Sequence, residues 1–262
     1  MILQLQRPWA LFAPLMRPLA ALAGLFAAAC GAAPPAPSGP APETRTTDHF
    51  VFHYPAGDGA AVTTVAARLE GEYARVIADL GVAAMPQIRV TFYADHASLE
   101  SATRASAGVI PPSASGLVTS DTAIHLMSPN APGWGPVAQV AVDAVHELAH
   151  CVSLRINARI ANNPRWFWES VAVYEAGQRV DLRTLSYMAA PTPPAFASLN
   201  TFDNGRVYEL GYSIAEFVVA RWGQPALAAL IAANADTAAV LGLPLPDFER
   251  EWFAFVRDRY RL

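Results

Sequence analysis

His146 and His150 stand four residues apart in the run His146-Glu147-Leu148-Ala149-His150. On an α-helix four residues turn through about 400°, so two imidazoles at this spacing sit about 40° apart on one face and can reach a single metal ion. They make half of a zinc site. Glu147, next to the first imidazole, can lie beside the metal's open position, where a carboxylate takes a proton from water and later passes it to a leaving amine. Catalytic zinc takes three protein ligands and keeps one place free, so a third donor has to come from a neighbouring segment. Glu169, nineteen residues after His150 in the run NPRWFWESVAVYEAG, is the candidate and completes the pattern HExxH-x18-E. Glu175 competes for the role. Six helical residues turn through about 600°, which leaves it about 120° off the face of Glu169, so the two cannot serve together. Asp143, three residues before His146 and on the same face, can orient that imidazole through its second nitrogen; a solvated acid is the plain alternative.

The elements that must hold these groups are readable from the hydrophobic pattern. Pro136 follows Gly133-Trp134-Gly135 and suits a first helical position, and the helix it opens, to about Ile156, carries His146, Glu147 and His150. Asn163-Pro164 begins a second helix through about Ala176, with Glu169 on it. A loop containing Pro191, Pro193 and Pro194 follows, and two or three helices close the chain. Upstream, HFVFHYP after Asp48 and QIRVTFYAD at 87–95 read as strands, with a helix from about Val62 to Leu80 between them. A short helix near Ala97 to Ala105 precedes GLVTSDTAIHLM, where two brief strands flank a turn at Ser120-Asp121. The fold class expected is therefore α+β: a small mixed β-sheet with helices in the N-terminal half, the active-site helix, then a mostly helical C-terminal half.

Composition narrows the setting. The chain has 262 residues, 53% hydrophobic and 15% charged, and no apolar stretch reaches the roughly 20 residues of a membrane-spanning helix. All 18 basic residues are arginine, against 22 acids. Arg7 and Arg17 fall in residues 1–29, which read as a signal peptide: basic, without acids, and ending in an apolar run and small residues before Cys30. The remainder carries 16 arginines and 22 acids, net −6, which offers no global attraction for nucleic acid. Ala27-Ala28-Ala29-Cys30 is similar to a bacterial lipobox, which makes Cys30 the lipidation site; ordinary cleavage after the same alanines is the alternative and leads to secretion. Residues 30–46 then form a proline- and alanine-rich tether, and 47–262 the folded domain. The expected location is the bacterial cell envelope, anchored in the membrane by lipid, with the outer membrane or periplasm favoured because Gly31 rather than aspartate follows Cys30. Cys151 is then left without a pairing partner and reads as a buried core residue.

Taken together, HELAH and the run Pro164, Trp166, Glu169, Ser170, Ala172 and Tyr174 resemble the gluzincin metallopeptidases, in particular the peptidase-MA-like domains with HEL(A/T)H followed by P-x-W-x-x-E-G-x-A-x-Y. Ser170 stands where that pattern has glycine, a departure that bears on local packing more than on ligation. The resemblance extends through VYELGYSIAEFVVARWG to EREWFAFVRDRY and covers roughly Asp48 to Tyr260. It implies a zincin-like fold, Zn2+ held by His146, His150 and Glu169, and hydrolysis of a peptide or protein substrate with Glu147 as general base. It also implies that Tyr208 donates its hydroxyl to the oxyanion, with Tyr212 as the fallback, and that the strand bearing His125 lies where zincins place their substrate-binding edge strand. A lone strand histidine is otherwise simply exposed. Two other readings use the same residues: a catalytically inactive zincin-fold lipoprotein for binding or envelope assembly, and a cell-wall peptide amidase.

Overall fold

The computed structural model describes residues 41–262. The signal peptide, Cys30 and most of the tether lie outside them. The described part begins with strand β1 (Glu43–Thr46), paired antiparallel with β2 (Phe50–Tyr54) from Glu43 opposite Tyr54 to Thr46 opposite Val51. The folded domain therefore starts before residue 47, inside the segment expected to be tether. All four β1 side chains are exposed, so this polar edge strand shows none of the alternation that marks a half-buried one, and only its backbone pairing reveals it.

Strands β3 (Ile88–Tyr93), β4 (Gly116–Ser120) and β5 (Ala123–Met127) complete a five-stranded mixed sheet in the order β1-β2-β3-β5-β4. The central strands β2, β3 and β5 are parallel, and β1 and β4 close the two sides antiparallel. The register aligns Phe50 with Ile88, Phe52 with Val90, Val90 with Ile124 and Phe92 with Leu126. Paired residues share a face, so these seven form one apolar surface. Helices α1 (Gly59–Asp79) and α3 (Val137–Ile156) pack on it and on each other. The opposite face is covered by α2 (His96–Ala107), whose Leu99 joins Ile110, Met127 and Ala131 in a second, smaller core.

His125 belongs to that opposite face, because its neighbours Ile124 and Leu126 point toward α3. The expectation that its strand is the edge strand is corrected: β5 is interior and β4 is outermost. Nor is the imidazole exposed. It is buried between the Tyr93 hydroxyl, 2.8 Å from Nδ1, and the Thr119 hydroxyl, 2.9 Å from Nε2, and burial followed by the nearby Arg89 charge pushes its pKa down to about 4.

The C-terminal half is helical: α4 (Arg165–Glu175), three short 3-10 turns, then α5 (Arg206–Trp222), α6 (Pro225–Ala232), α7 (Thr237–Leu241) and α8 (Leu245–Tyr260). Four helices thus follow the proline loop rather than two or three. Pro136 and Pro164 are N-caps, one position outside the helices they introduce. Helices α4 and α5 come unusually close, since a Cβ added to Gly211 would lie 3.1 Å from the Ser170 Cα. Ser170 fits there because its hydroxyl turns back to donate to the Trp166 carbonyl at 2.6 Å. Trp166, Phe196, Phe217, Phe248 and Trp252 fill the space between α4, α5 and α8, so the helix bearing Glu169 is clamped from both sides. No single helix among the described residues is long and apolar enough to cross a membrane.

Candidate metal centre

Helix α3 is buried on every side from Ala144 to Ser153, and on it His146, Glu147 and His150 face α4 and β4. Glu169 of α4 meets them. Its Oε2 lies 3.2 Å from His146 Nε2 and 3.6 Å from His150 Nε2, and the donor atoms of the three residues all fall within 4.8 Å of one another. Two ligands about 2.1 Å from a common ion at a tetrahedral angle are roughly 3.4 Å apart, so the two measured separations bracket what one ion needs. This buried two-nitrogen, one-oxygen group can hold a metal ion. Glu175 is excluded from it: its carboxylate accepts from Arg75 Nη1 at 2.7 Å and Gln224 Nε2 at 3.2 Å, tying α4 to α1 and α6.

The electrostatics are those of a donor set closing on itself. Burial depresses the His146 imidazole, but the hydrogen bond to Glu169, the charges of Glu147 and Glu169 and the Gln178 oxygen outweigh it and lift the group to about 9. His150 is pushed down to about 4, first by burial and then by its neighbour His146 against the pull of Glu169. For Glu169 burial works upward, yet the two histidines hold it well below the usual carboxylate range. A cation in place of the shared proton supplies the same compensation and leaves both imidazoles neutral, the form in which they ligate. Glu147 differs. Burial raises it to about 8, helped by the Glu169 and Asp143 charges and opposed by His146, and its Oε2 is buried with no hydrogen-bond partner.

Each imidazole is oriented by its own device. The His150 ring stacks on Trp168, 3.9 Å between centroids and 7° from parallel, while its buried Nδ1 has no partner. His146 Nδ1 donates to Gln178 Oε1 at 2.8 Å, which leaves Nε2 for a metal. Asp143 therefore does not orient His146 directly, as expected from its place on the helix. It stands one step further out, accepting from Gln178 Nε2 at 3.2 Å and from Gln139 Nε2 at 2.9 Å. Gln178 was missed in the sequence, although its position has a readable cause. Gly177 takes a left-handed φ of +69°, with Gly177 N bonding the Tyr174 carbonyl and Gln178 N bonding the Val173 carbonyl, and this helix-terminating reversal folds Gln178 back onto α3. Replacing Gln178 by alanine is expected to weaken metal binding about 10- to 100-fold, while Gln178→Glu, which keeps an acceptor for Nδ1, retains most of it; titration against a chromogenic chelator measures both.

Arg165 was also missed. It is 3% exposed, its Nη1 donates to the Leu199, Thr201 and Asn204 carbonyls at 3.1, 3.2 and 3.3 Å, and its Nε lies 3.9 Å from Glu169 Oε1. One Glu169 oxygen thus faces the histidines and the other a fixed cation. The Tyr208 ring lies 5.3 Å from that guanidinium and 6.2 Å from the His146 ring, and Tyr208 remains 46% exposed. Burial of its inner part and the Glu169 charge raise its hydroxyl above the ordinary value, so it stays a donor. Tyr212, one turn on, is buried against Tyr174, and its hydroxyl accepts from Arg179. On the far side of the centre is β4: a Cβ added to Gly116 would meet Glu147 Oε1 at 3.1 Å. Cys151 is buried, its thiol raised well above its ordinary value by burial, and it stands apart from the donor group. No protein-family model matches the chain, and no curated protein matches it.

Proposed function

We propose that this chain is a zinc-dependent peptidase of the gluzincin type. The observation that carries the reading is a buried Glu147 carboxylate with a free oxygen, on the same helical turn as an imidazole of a converging two-histidine, one-glutamate group. Held by His146, His150 and Glu169, zinc would polarise the scissile carbonyl and lower the pKa of the attacking water. Glu147 accepts the proton of that water at its free oxygen and returns it to the leaving amine. The Tyr208 hydroxyl donates to the carbonyl oxygen as negative charge develops there. Gln178, backed by Asp143, and Trp168 hold the two imidazoles against rotation.

The outermost strand β4 runs beside Glu147, so an extended peptide can add to its edge with the scissile bond over the centre. A non-catalytic zincin frame has no use for an unpartnered buried carboxylate, which costs stability without a compensating bond. The leader and Cys30 support an envelope peptidase on a lipid anchor. The decisive experiment is metal analysis of the purified domain with a peptide-library digest. One zinc per chain and metal-dependent cleavage are expected, with both lost in His146→Ala/His150→Ala. Stoichiometric zinc surviving in that double variant overturns the ligand assignment, and a zinc-loaded protein that cleaves no peptide overturns the peptidase.

A further inference from the structure

Two large apolar side chains stand exposed at the rim of the metal centre. Among the described residues the exposed large hydrophobics are Val109, Phe202 and Tyr208, at 77%, 66% and 46%. Val109 lies in the loop after α2. Phe202 and Tyr208 both flank the guanidinium of Arg165, with their rings 5.5 and 5.3 Å from its Cζ, and that guanidinium touches the metal-facing glutamate. A free phenylalanine ring leaves in water apolar surface whose burial is favourable, and two such rings beside one centre are a surface waiting for an apolar group.

The exposure is built in rather than loose. The carbonyls of Leu199, Thr201 and Asn204 are all held by Arg165, Asn204 Nδ2 donates to the Ser198 carbonyl at 2.8 Å, and Asn200 Oδ1 accepts from the Trp166 backbone at 3.1 Å. The backbone is thus anchored on both sides of Phe202, and the ring points outward from a fixed loop. The same bonds decide the chemistry of the occupant. Arg165 is 3% exposed, with Nη1 shared among three carbonyls and Nε 3.9 Å from Glu169 Oε1 in an ion pair inside the fold, so its charge is met within the protein and is not offered to an acidic side chain. What the wall presents to a ligand is aromatic faces.

We propose that Phe202 and Tyr208 form a subsite for an apolar side chain flanking the scissile bond, so that this enzyme selects peptides carrying Leu, Met, Phe or Tyr at that position. The inference rests on the peptidase reading. Phe202 is the specificity-determining residue, since Tyr208 has a second task at the carbonyl oxygen. A good aromatic contact discriminates between a large apolar side chain and alanine by about tenfold or more.

The experiment compares wild type and Phe202→Ala, both zinc-loaded, on a randomised peptide library read by mass spectrometry, followed by matched peptides that differ only by Leu or Ala at the selected position. Wild type is expected to enrich large apolar residues at one position next to the cut. In Phe202→Ala the ratio of kcat/KM for the Leu and Ala peptides should collapse toward one, with zinc content unchanged, and Phe202→Leu should restore most of it. Cleavage by wild type with no apolar preference, or a preference that survives in Phe202→Ala, overturns the subsite and leaves the peptidase standing. A wild-type protein that binds zinc and cleaves no library peptide overturns the peptidase, and the subsite with it.

Discussion

Glu147→Gln is expected to keep the fold and one zinc per chain and to slow peptide hydrolysis by about 10²- to 10⁴-fold, the range of a positioned general base. The substitution is isosteric and removes none of the three converging donors, so metal content is its internal control. It also removes a buried charge that lacks a bond at Oε2 and lies near two other carboxylates, Glu169 and Asp143. In the metal-free protein this has a sign. A carboxyl group whose folded pKa is raised from 4.5 to about 8 leaves the native state binding more protons than the unfolded state between those values, so its contribution is fully present below pH 4.5 and is lost as pH rises through 8. Metal-free Glu147→Gln should therefore match wild type in thermal stability near pH 4 and exceed it near pH 8. Unchanged turnover on a confirmed peptide substrate rules out the base; a wild-type advantage at pH 8 removes the argument from its burial.

The class of the fold was legible because the strands and helices that bury most surface have strong patterns. Phe50, Phe52 and Tyr54 alternate along β2 as Ile88, Val90 and Phe92 do along β3, and both strands were expected. The order of strands was not legible. Assigning His125 to the edge followed from its place in the chain just before α3, but β4 folds back antiparallel outside β5, and a tight turn between two short strands carries no signal about which becomes outermost. β1 escaped for the opposite reason, since a strand with four exposed side chains has polar residues throughout.

Within the site, the residues of α3 came from spacing: His146 and His150 lie one turn apart on one face with Glu147 beside the first, and Glu169 was reached by seeking a third ligand on the next helix, where its flanking run favoured it over Glu175. Groups brought in by tertiary contact did not. Gln178 reaches His146 across 32 positions, and Arg165 reaches the carbonyl of Asn204 across 39. Asp143 shows the limit from the other side. It has the helical phase to face His146, but a longer side chain from the end of α4 takes the imidazole nitrogen and leaves Asp143 to hold that side chain in place. Ser170, the departure from the gluzincin-like pattern, shows why a single mismatch did not disturb the centre: Gly211 on the facing helix supplies the small surface, and the serine hydroxyl finds a carbonyl within its own helix.

Tyr208 and Tyr212 are separated by one helical turn and by everything around them, and the pair yields the sharper mutational test. Tyr208→Phe is expected to lower kcat by about 10²-fold with little change in KM, because a donor aimed at a developing oxyanion acts in the transition state and hardly on bound substrate. The ring is kept, so its contact with Arg165 and the wall it shares with Phe202 persist, and only the hydroxyl is tested. Tyr212→Phe should leave kcat near wild type. Its hydroxyl accepts from Arg179, an exposed residue for which water can substitute, and its ring remains packed on Tyr174, so the expected cost is under about 1 kcal/mol of stability, seen as a small fall in Tm. A normal Tyr208→Phe beside an impaired Tyr212→Phe would reverse the two roles. Equal turnover in all three proteins would remove tyrosine from the oxyanion altogether and leave the metal alone to stabilise it.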